Sequence, residues 1–155
     1  MSKNASDASG GTTDFEALRL VLQSTRTKLL QQILAHPEAC LSATELDYRN
    51  PSLESSTIQY HLHKLEDAGI VERLKLPKGE RSRDLPSTFW AVTGKGRELL
   101  RQAGLYEEIE HWRDLYQRME RTPAIREIEA MPRPTVDSGY EFSGEMQYET
   151  ANDTA

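Results

Sequence analysis

Cysteine is almost missing from this chain: one thiol, Cys40, stands in 155 residues. A single cysteine excludes an intrachain disulfide and a zinc cluster built from the cysteines of one chain, and it fits a reducing, cytoplasmic setting. Long apolar runs are missing too. No stretch of about 18 apolar residues occurs, and the polar opening "MSKNASDASGGTTD" contains no hydrophobic segment of the kind that marks export. The expectation is a cytoplasmic protein with no membrane partner. The constellations of an enzyme are also lacking. The "GG" at 10–11 and the "GKG" at 94–96 fit no phosphate-cradling spacing, and no nucleophile–base pair or carboxylate dyad stands out. Neither a catalytic residue nor a cofactor is expected. Positive charge is in short supply as well: 19 Lys and Arg face 25 Asp and Glu, a net charge of −6 that argues against indiscriminate nucleic-acid binding.

What is present is a chain of one-domain length, with 37% hydrophobic and 28% charged residues, enough for a modest packed core. The acidity is concentrated at the end, where residues 131–155 carry one Arg against Asp137, Glu141, Glu145, Glu149 and Asp153. The stretch 55–83 runs the other way, with six Lys and Arg against four acids. Residues 1–13, rich in Ser, Gly, Thr and Asn, read as a flexible arm. Residues 131–155 read as an acidic disordered tail, in which Tyr140, Phe142, Met146 and Tyr148 alternate with acids and could dock on a partner.

Between arm and tail the apolar spacing is helical, then alternating, then helical again. "DFEALRLVLQ" gives a first helix with Phe15, Leu18, Leu20, Val21 and Leu22 on a broad face. Ser24 is a candidate cap for a second, "TRTKLLQQILAH", which Pro37 ends. After the extended piece "ACLS", Ser42 and Glu45 have the Ser-x-x-Glu spacing of a capping box and start a third helix. Asn50, Pro51 and Ser52 make a turn, and Ser55 is a candidate cap for a fourth helix running through Ala68 to a stop at Gly69. "IVERLKL" and "STFWAV" flank "PKGERSRDLP", predicting a β-hairpin with a basic tip. Thr93 caps "GKGRELLRQAG". "LYEEIEHWRDLYQRMER" then places Leu105, Ile109, Trp112, Tyr116 and Met119 at alternating helical spacing, which reads as a coiled-coil seam. "TPAIREIEAM" adds a turn or two before Pro132 and Pro134 end regular structure.

This order of elements is the winged helix-turn-helix plan: mainly α with a small β-hairpin wing (α+β) and a C-terminal dimerisation helix. "ELDYRNPSLESSTIQYHLHKLEDAGIVERL" followed by "FWAVTGKGRELL" resembles the ArsR-type winged-helix transcriptional regulators, and the C-terminal helix is similar to that of PadR-type regulators. The likeness spans residues 15–121. It implies a homodimer on a pseudo-palindromic double-stranded DNA operator, usually as a repressor. Dimer contacts would come from the first and last helices, here Leu18 and Leu22 in one and Leu105, Ile109, Trp112, Tyr116 and Met119 in the other. The chain then divides into the arm, a DNA-binding domain over 14–103, a dimerisation helix over 104–130, and the tail. An acidic surface also suits a salty cytoplasm such as that of halophilic archaea.

The fourth helix separates on a wheel of about 100° per residue. Ile58, His61, Leu62, Leu65 and Ala68 share the arc that faces the core, and Ser56, Gln59, Tyr60, His63 and Lys64 lie opposite. His61 and His63 stand about 160° apart, too far round to chelate one ion from a regular helix. His61 is therefore expected to be packed and hydrogen-bonded, while His63 faces outward. In the recognition helix, 55–68, Gln59 can pair with adenine, Ser55, Ser56 and Thr57 suit a phosphate at the first turn, and Tyr60 suits a sugar or thymine methyl. His63 and Lys64 would reach a base edge or phosphate. In the wing, 76–87, Lys78, Arg81 and Arg83 would neutralise flanking phosphates or enter a narrow minor groove. ArsR-type metal sensors carry paired cysteines or a carboxylate–imidazole cluster; Cys40 and His111 offer neither, so no metal is expected. Cys40 reads as a small buried residue rather than an oxidation sensor. Trp90, Trp112 and Tyr116 suit core or an effector pocket, and the effector itself stays unassigned. The alternative reading is a winged-helix subunit that binds protein within the transcription machinery, which would need an apolar face where this helix is polar.

Overall fold

A computed structural model describes residues 14–136 of the chain. Seven α-helices and a three-stranded antiparallel sheet are described, in the order anticipated for a winged helix-turn-helix. Helix α1 (Asp14–Leu22) buries Ala17 and Val21 and leaves Phe15 and Leu22 exposed, so its apolar face is narrower than the sequence implies. Helix α2 (Ser24–Ala35) is the central element, burying Leu29, Leu30, Ile33 and Leu34. Gln23, not Ser24, caps it: the Gln23 side chain accepts from the Arg26 N–H at 2.9 Å. Ser24 is already inside the first turn, where its hydroxyl cannot cap.

Strand β1 (Cys40–Leu41) leads into helix α3 (Ala43–Arg49), which begins on the predicted capping box of Ser42 and Glu45. The following turn is pinned to α2 by a buried amide pair. Gln32 donates to Asn50 Oδ1 at 3.2 Å and Asn50 Nδ2 donates back at 2.7 Å, also reaching the Leu46 carbonyl at 2.8 Å. Helix α4 (Ser55–Asp67) follows with Glu54 at its N-cap. This corrects the expectation for Ser55, whose hydroxyl instead donates to Asp47 Oδ2 at 2.6 Å and ties α4 back to α3. Gly69, at φ +77°, takes the left-handed conformation that ends the helix.

Strands β2 (Val71–Lys75) and β3 (Thr88–Val92) form the wing's stem, and β3 lies between β1 and β2 with Trp90 opposite both Leu41 and Arg73. One face of the sheet joins the main core of α1, α2, α4 and α5 through Leu41, Val71, Trp90 and Val92. Helix α5 (Gly94–Gln102), capped by Thr93, packs very closely here. A Cβ on Gly96 would lie 2.5 Å from the Ile70 carbonyl oxygen, which is why the "GKG" glycine is a packing residue rather than part of a phosphate loop.

The C-terminal part departs furthest from expectation. It forms two helices, α6 (Glu107–Gln117) and α7 (Pro123–Ala130), the second capped by Thr122 with proline in its first turn. Part of the seam packs within the protomer: Ile109 is buried, and Leu105 and Trp112, both half-buried, pack on the same cluster as α2. The Trp112 indole donates to Gln31 Oε1 at 2.9 Å, Tyr116 lies under Arg49, and Met119 is half-buried. An apolar stripe at three-and-four spacing serves any apolar groove, and α2 of the same chain supplies the nearest one. Helix α7 then covers the outer face of the sheet, where Ile125, Ile128 and Met131 meet Leu76, Phe89, Ala91 and Cys40.

The tail boundary at 131 is corrected by the same packing. Arg133, counted with the tail, has a side chain with 0% exposure and clamps Glu45 through bonds of 2.8 and 2.5 Å while donating to the Cys40 carbonyl at 2.9 Å. Residues 131–136 thus belong to the folded unit. The arm (1–13) and Tyr140, Phe142, Met146 and Tyr148 of the tail lie outside the described residues.

Candidate nucleic-acid interface

The exposed face of α4 is set by how the opposite face is held. Ile58, Leu62 and Leu65 are fully buried and His61 is 8% exposed, matching the arc drawn from the wheel. His61 Nδ1 accepts from Arg26 Nε at 3.1 Å. Burial, then the Arg26 charge, holds this imidazole below its usual pKa, so it stays a neutral acceptor. The far end is fixed by Lys95, whose ammonium donates to the Ala68 carbonyl at 3.0 Å.

Outward, Ser55, Ser56, Tyr60, His63 and Lys64 are exposed, and Thr57 and Gln59 are half-buried. Tyr60 stands edge-on to His61 at 5.3 Å, with the Lys64 ammonium 5.7 Å from its ring. His63 leans toward the wing, its ring edge-on to Trp90 at 6.0 Å and its Nδ1 3.7 Å from Glu66. Glu66 accepts two bonds from Arg73 of β2, at 2.8 and 3.0 Å, and the Arg73 guanidinium lies over Trp90. Recognition helix and wing stem are therefore joined through Glu66, Arg73, Trp90 and His63, a link that sequence reasoning missed because Arg73 counted only as charge. No side chain caps the N-terminus of α4 or of α6, whereas Gln23, Ser42, Thr93 and Thr122 cap α2, α3, α5 and α7. First-turn N–H groups left this way suit an anion.

At the wing tip Lys78, Arg81 and Arg83 are exposed, around a single 3-10 turn at Lys78–Glu80. Arg81 Nε donates to the Leu76 carbonyl at 2.9 Å, which anchors that guanidinium at the wing's base. The structure thus joins the face of α4 to the stem of the wing, and on α1 it leaves Leu18 half-buried and Leu22 exposed. Among the described residues no group of three His, Cys, Asp or Glu is arranged to hold a metal, and His111 is exposed. Cys40 is fully buried, and burial pushes its thiol up to about 11, away from the reactive thiolate. No described helix is long and apolar enough to cross a membrane.

Residues 21–73 match a helix-turn-helix domain family. No curated protein matches the chain. A solved structure from Halomicrobium mukohataei, described as a protein with a GntR superfamily winged-helix-turn-helix domain, is 43% identical over 88% of this chain and 93% of that one, with a TM-score of 0.74. The chain belongs to the winged helix-turn-helix family. In this winged-helix protein α3 and α4 are the helix-turn-helix and the β2–β3 hairpin is the wing, so the fold inferred from the order of elements holds. The family suggests a DNA-binding regulator rather than an enzyme. The narrower ArsR-type resemblance is a separate matter, since the matched structure of this winged-helix class carries a GntR superfamily domain.

Proposed function

We propose that this protein is a sequence-specific transcriptional regulator of ArsR-like kind, acting in the cytoplasm as a homodimer on a pseudo-palindromic operator and repressing transcription by occupying it. The observation that carries the reading is the outer face of α4: a polar, exposed surface with an uncapped N-terminus, on the second helix of a helix-turn-helix, joined to a basic wing. Residues 55–68 lie in the major groove. Gln59 reads a base, Ser55, Ser56 and Thr57 meet phosphate, and Tyr60, His63 and Lys64 flank them. Lys78, Arg81 and Arg83 of the wing neutralise the adjoining backbone. A protein-binding winged helix would need an apolar face at α4, and apart from Tyr60 this one is polar.

The dimer contact runs through α1, where Phe15 and Leu22 are 69% and 51% exposed, rather than through the seam of α6, which α2 occupies. The acid excess fits an archaeal, salt-rich cytoplasm, where only a focused cationic surface could hold DNA. Genome-wide occupancy of the tagged protein tests the reading, with Gln59→Ala combined with Lys64→Ala as control. Wild type should give discrete peaks that the control loses, and genes beside those peaks should rise in expression on deletion. Identical, unenriched profiles for both proteins would refute DNA recognition.

A further inference from the structure

A second polar site lies away from the α4 face. A cavity of about 280 Å³ opens between the ends of α2 and α3 and helices α6 and α7, lined by His36, Arg49, Arg113, Tyr116, Arg121 and Glu129 among others. Three guanidiniums line it against one carboxylate, and Arg113 is oriented by its Nε, which donates to the Ala35 carbonyl at 2.9 Å. That carboxylate is already engaged, since Glu129 accepts from the Tyr116 hydroxyl and from Arg121 Nε. The Arg49 guanidinium lies 3.5 Å over the Tyr116 ring, and its Nε is buried with no hydrogen-bond partner among the described residues. Burial disfavours the charged form of Arg49 and outweighs the opposing effects of Tyr116, Glu45 and Glu129, and a bound anion would offset what is left. His36 does not add a fourth cation. Burial, with the charges of Arg133, Arg49 and Arg113, lowers it to about 3, and its Nδ1 accepts from the Glu38 N–H at 2.9 Å. Ala35 and Pro37 complete the wall with apolar surface.

We propose that this cavity binds a small organic oxyanion, a carboxylate or phosphate ester carried on a compact apolar body, with Arg49 and Arg113 as charge partners and Ala35 and Pro37 as the apolar wall; the Tyr116 ring, with Arg49 at 3.5 Å and Arg121 at 4.2 Å from its centre, holds the guanidiniums in place. Its volume, about 280 Å³, is just below the usual range of ligand pockets, which starts at about 300 Å³, so the ligand is a metabolite of about one ring. Arg49 is the last residue of α3, directly before the Asn50 turn of the helix-turn-helix. A ligand on Arg49 therefore pulls on the element that positions α4. That regulatory consequence rests on the functional reading above; the binding does not, and the experiment measures binding alone.

Titration calorimetry of the full chain with benzoate, phenyl phosphate and neutral benzamide provides the test. At least one of the two anions should saturate a single site per chain, its identity distinguishing carboxylate from phosphate ester, and benzamide should give no heat. Arg49→Gln should weaken the anion by about tenfold or more, the size expected for a lost charge-assisted hydrogen bond, while Arg101→Gln at an exposed position of α5 should leave that affinity unchanged. If circular dichroism shows that Arg49→Gln does not fold, Arg113→Gln replaces it with the same expectation. Unsaturable heats, equal binding of benzamide, or an equal loss on Arg101→Gln would each overturn the proposal.

Discussion

Removing the Arg133 guanidinium should destabilise the fold by far more than a tail residue would. Its side chain and that of Glu45 are 0% and 1% exposed, and the two are joined by bonds of 2.8 and 2.5 Å. Arg133→Met leaves the Glu45 carboxylate in a dry site, removes a donor from the Cys40 carbonyl, and removes a cation lying 5.1 Å from the Phe89 ring centre. Breaking one side of a buried pair costs about 3–5 kcal/mol. The Ser42 N–H and hydroxyl still bond Glu45, so the lower half of that range is expected. Adding Glu45→Gln removes the stranded charge, so the double variant should be more stable than the sum of the single losses, by about 1–3 kcal/mol. Urea unfolding followed by far-UV circular dichroism measures the cycle. The exposed pair Arg101–Glu98, at 51% and 42%, serves as the comparison, and its loss should cost about 1 kcal/mol or less. Molar salt, with a screening length of about 3 Å, should leave the buried coupling almost unchanged. A loss below about 1 kcal/mol for Arg133→Met, or strict additivity in the cycle, would refute the claim that this contact closes the domain.

Stability should fall as the solution is acidified, because His36, just after α2, and Glu45 of α3 are held below their usual pKa. His36, lowered from 6.5 to about 3, takes up its proton in the unfolded chain first, so its contribution is complete above about 6.5 and drains away toward pH 3. Glu45 adds to this below its unfolded value: burial alone would raise its pKa, but the Arg133 bonds and charge, with the Ser42 N–H, outweigh burial. His36→Asn should flatten the upper part of a plot of unfolding free energy against pH and leave the lower part; an unchanged slope would discount His36. Gly96→Ala should lower stability by about 1–3 kcal/mol through overpacking against Ile70, while Gly79→Ala, with open space around it, should be neutral in thermal melts. Phe15→Glu with Leu22→Glu should yield monomers in light scattering, and a persistent dimer would move the proposed contact off α1.

What the sequence made legible was local or periodic. The capping box of Ser42 and Glu45, the Thr93 cap and the Gly69 stop each depend on residues within a few positions of one another, and each is found. The α4 wheel succeeded because a two-sided helix with five apolar-side positions has only one arc to bury. The sequence is least decisive where two solutions share a pattern. Leu105, Ile109 and Trp112 recur at a spacing that fits a partner helix of another subunit or of the same chain, and nothing local decides between them. Arg133 failed for a different reason. Its partner Glu45 lies 88 positions earlier, so the proline-flanked "PRP" looked like the start of a tail. The cationic cavity was hidden in the same way, because Arg49, Arg113 and Arg121 come from three separate segments.

The bonds around α4 sort residues by role more sharply than exposure does. Long-range contacts hold the helix at its start (Ser55 to Asp47), middle (Arg26 to His61) and end (Lys95 to Ala68), and a buried amide pair fixes the turn before it. On the outer face, by contrast, Tyr60 and Lys64 have ring contacts with neighbours on the helix itself, and His63 contacts Glu66 of the same helix and Trp90 of the wing stem. Substitutions among the holding residues should therefore lower unfolding free energy, whereas Gln59→Ala or Lys64→Ala should leave it within about 0.5 kcal/mol and act on DNA occupancy alone. Ser55 belongs to both groups, since the hydroxyl proposed to meet a phosphate is the one that holds Asp47; Ser55→Ala should move stability and occupancy together.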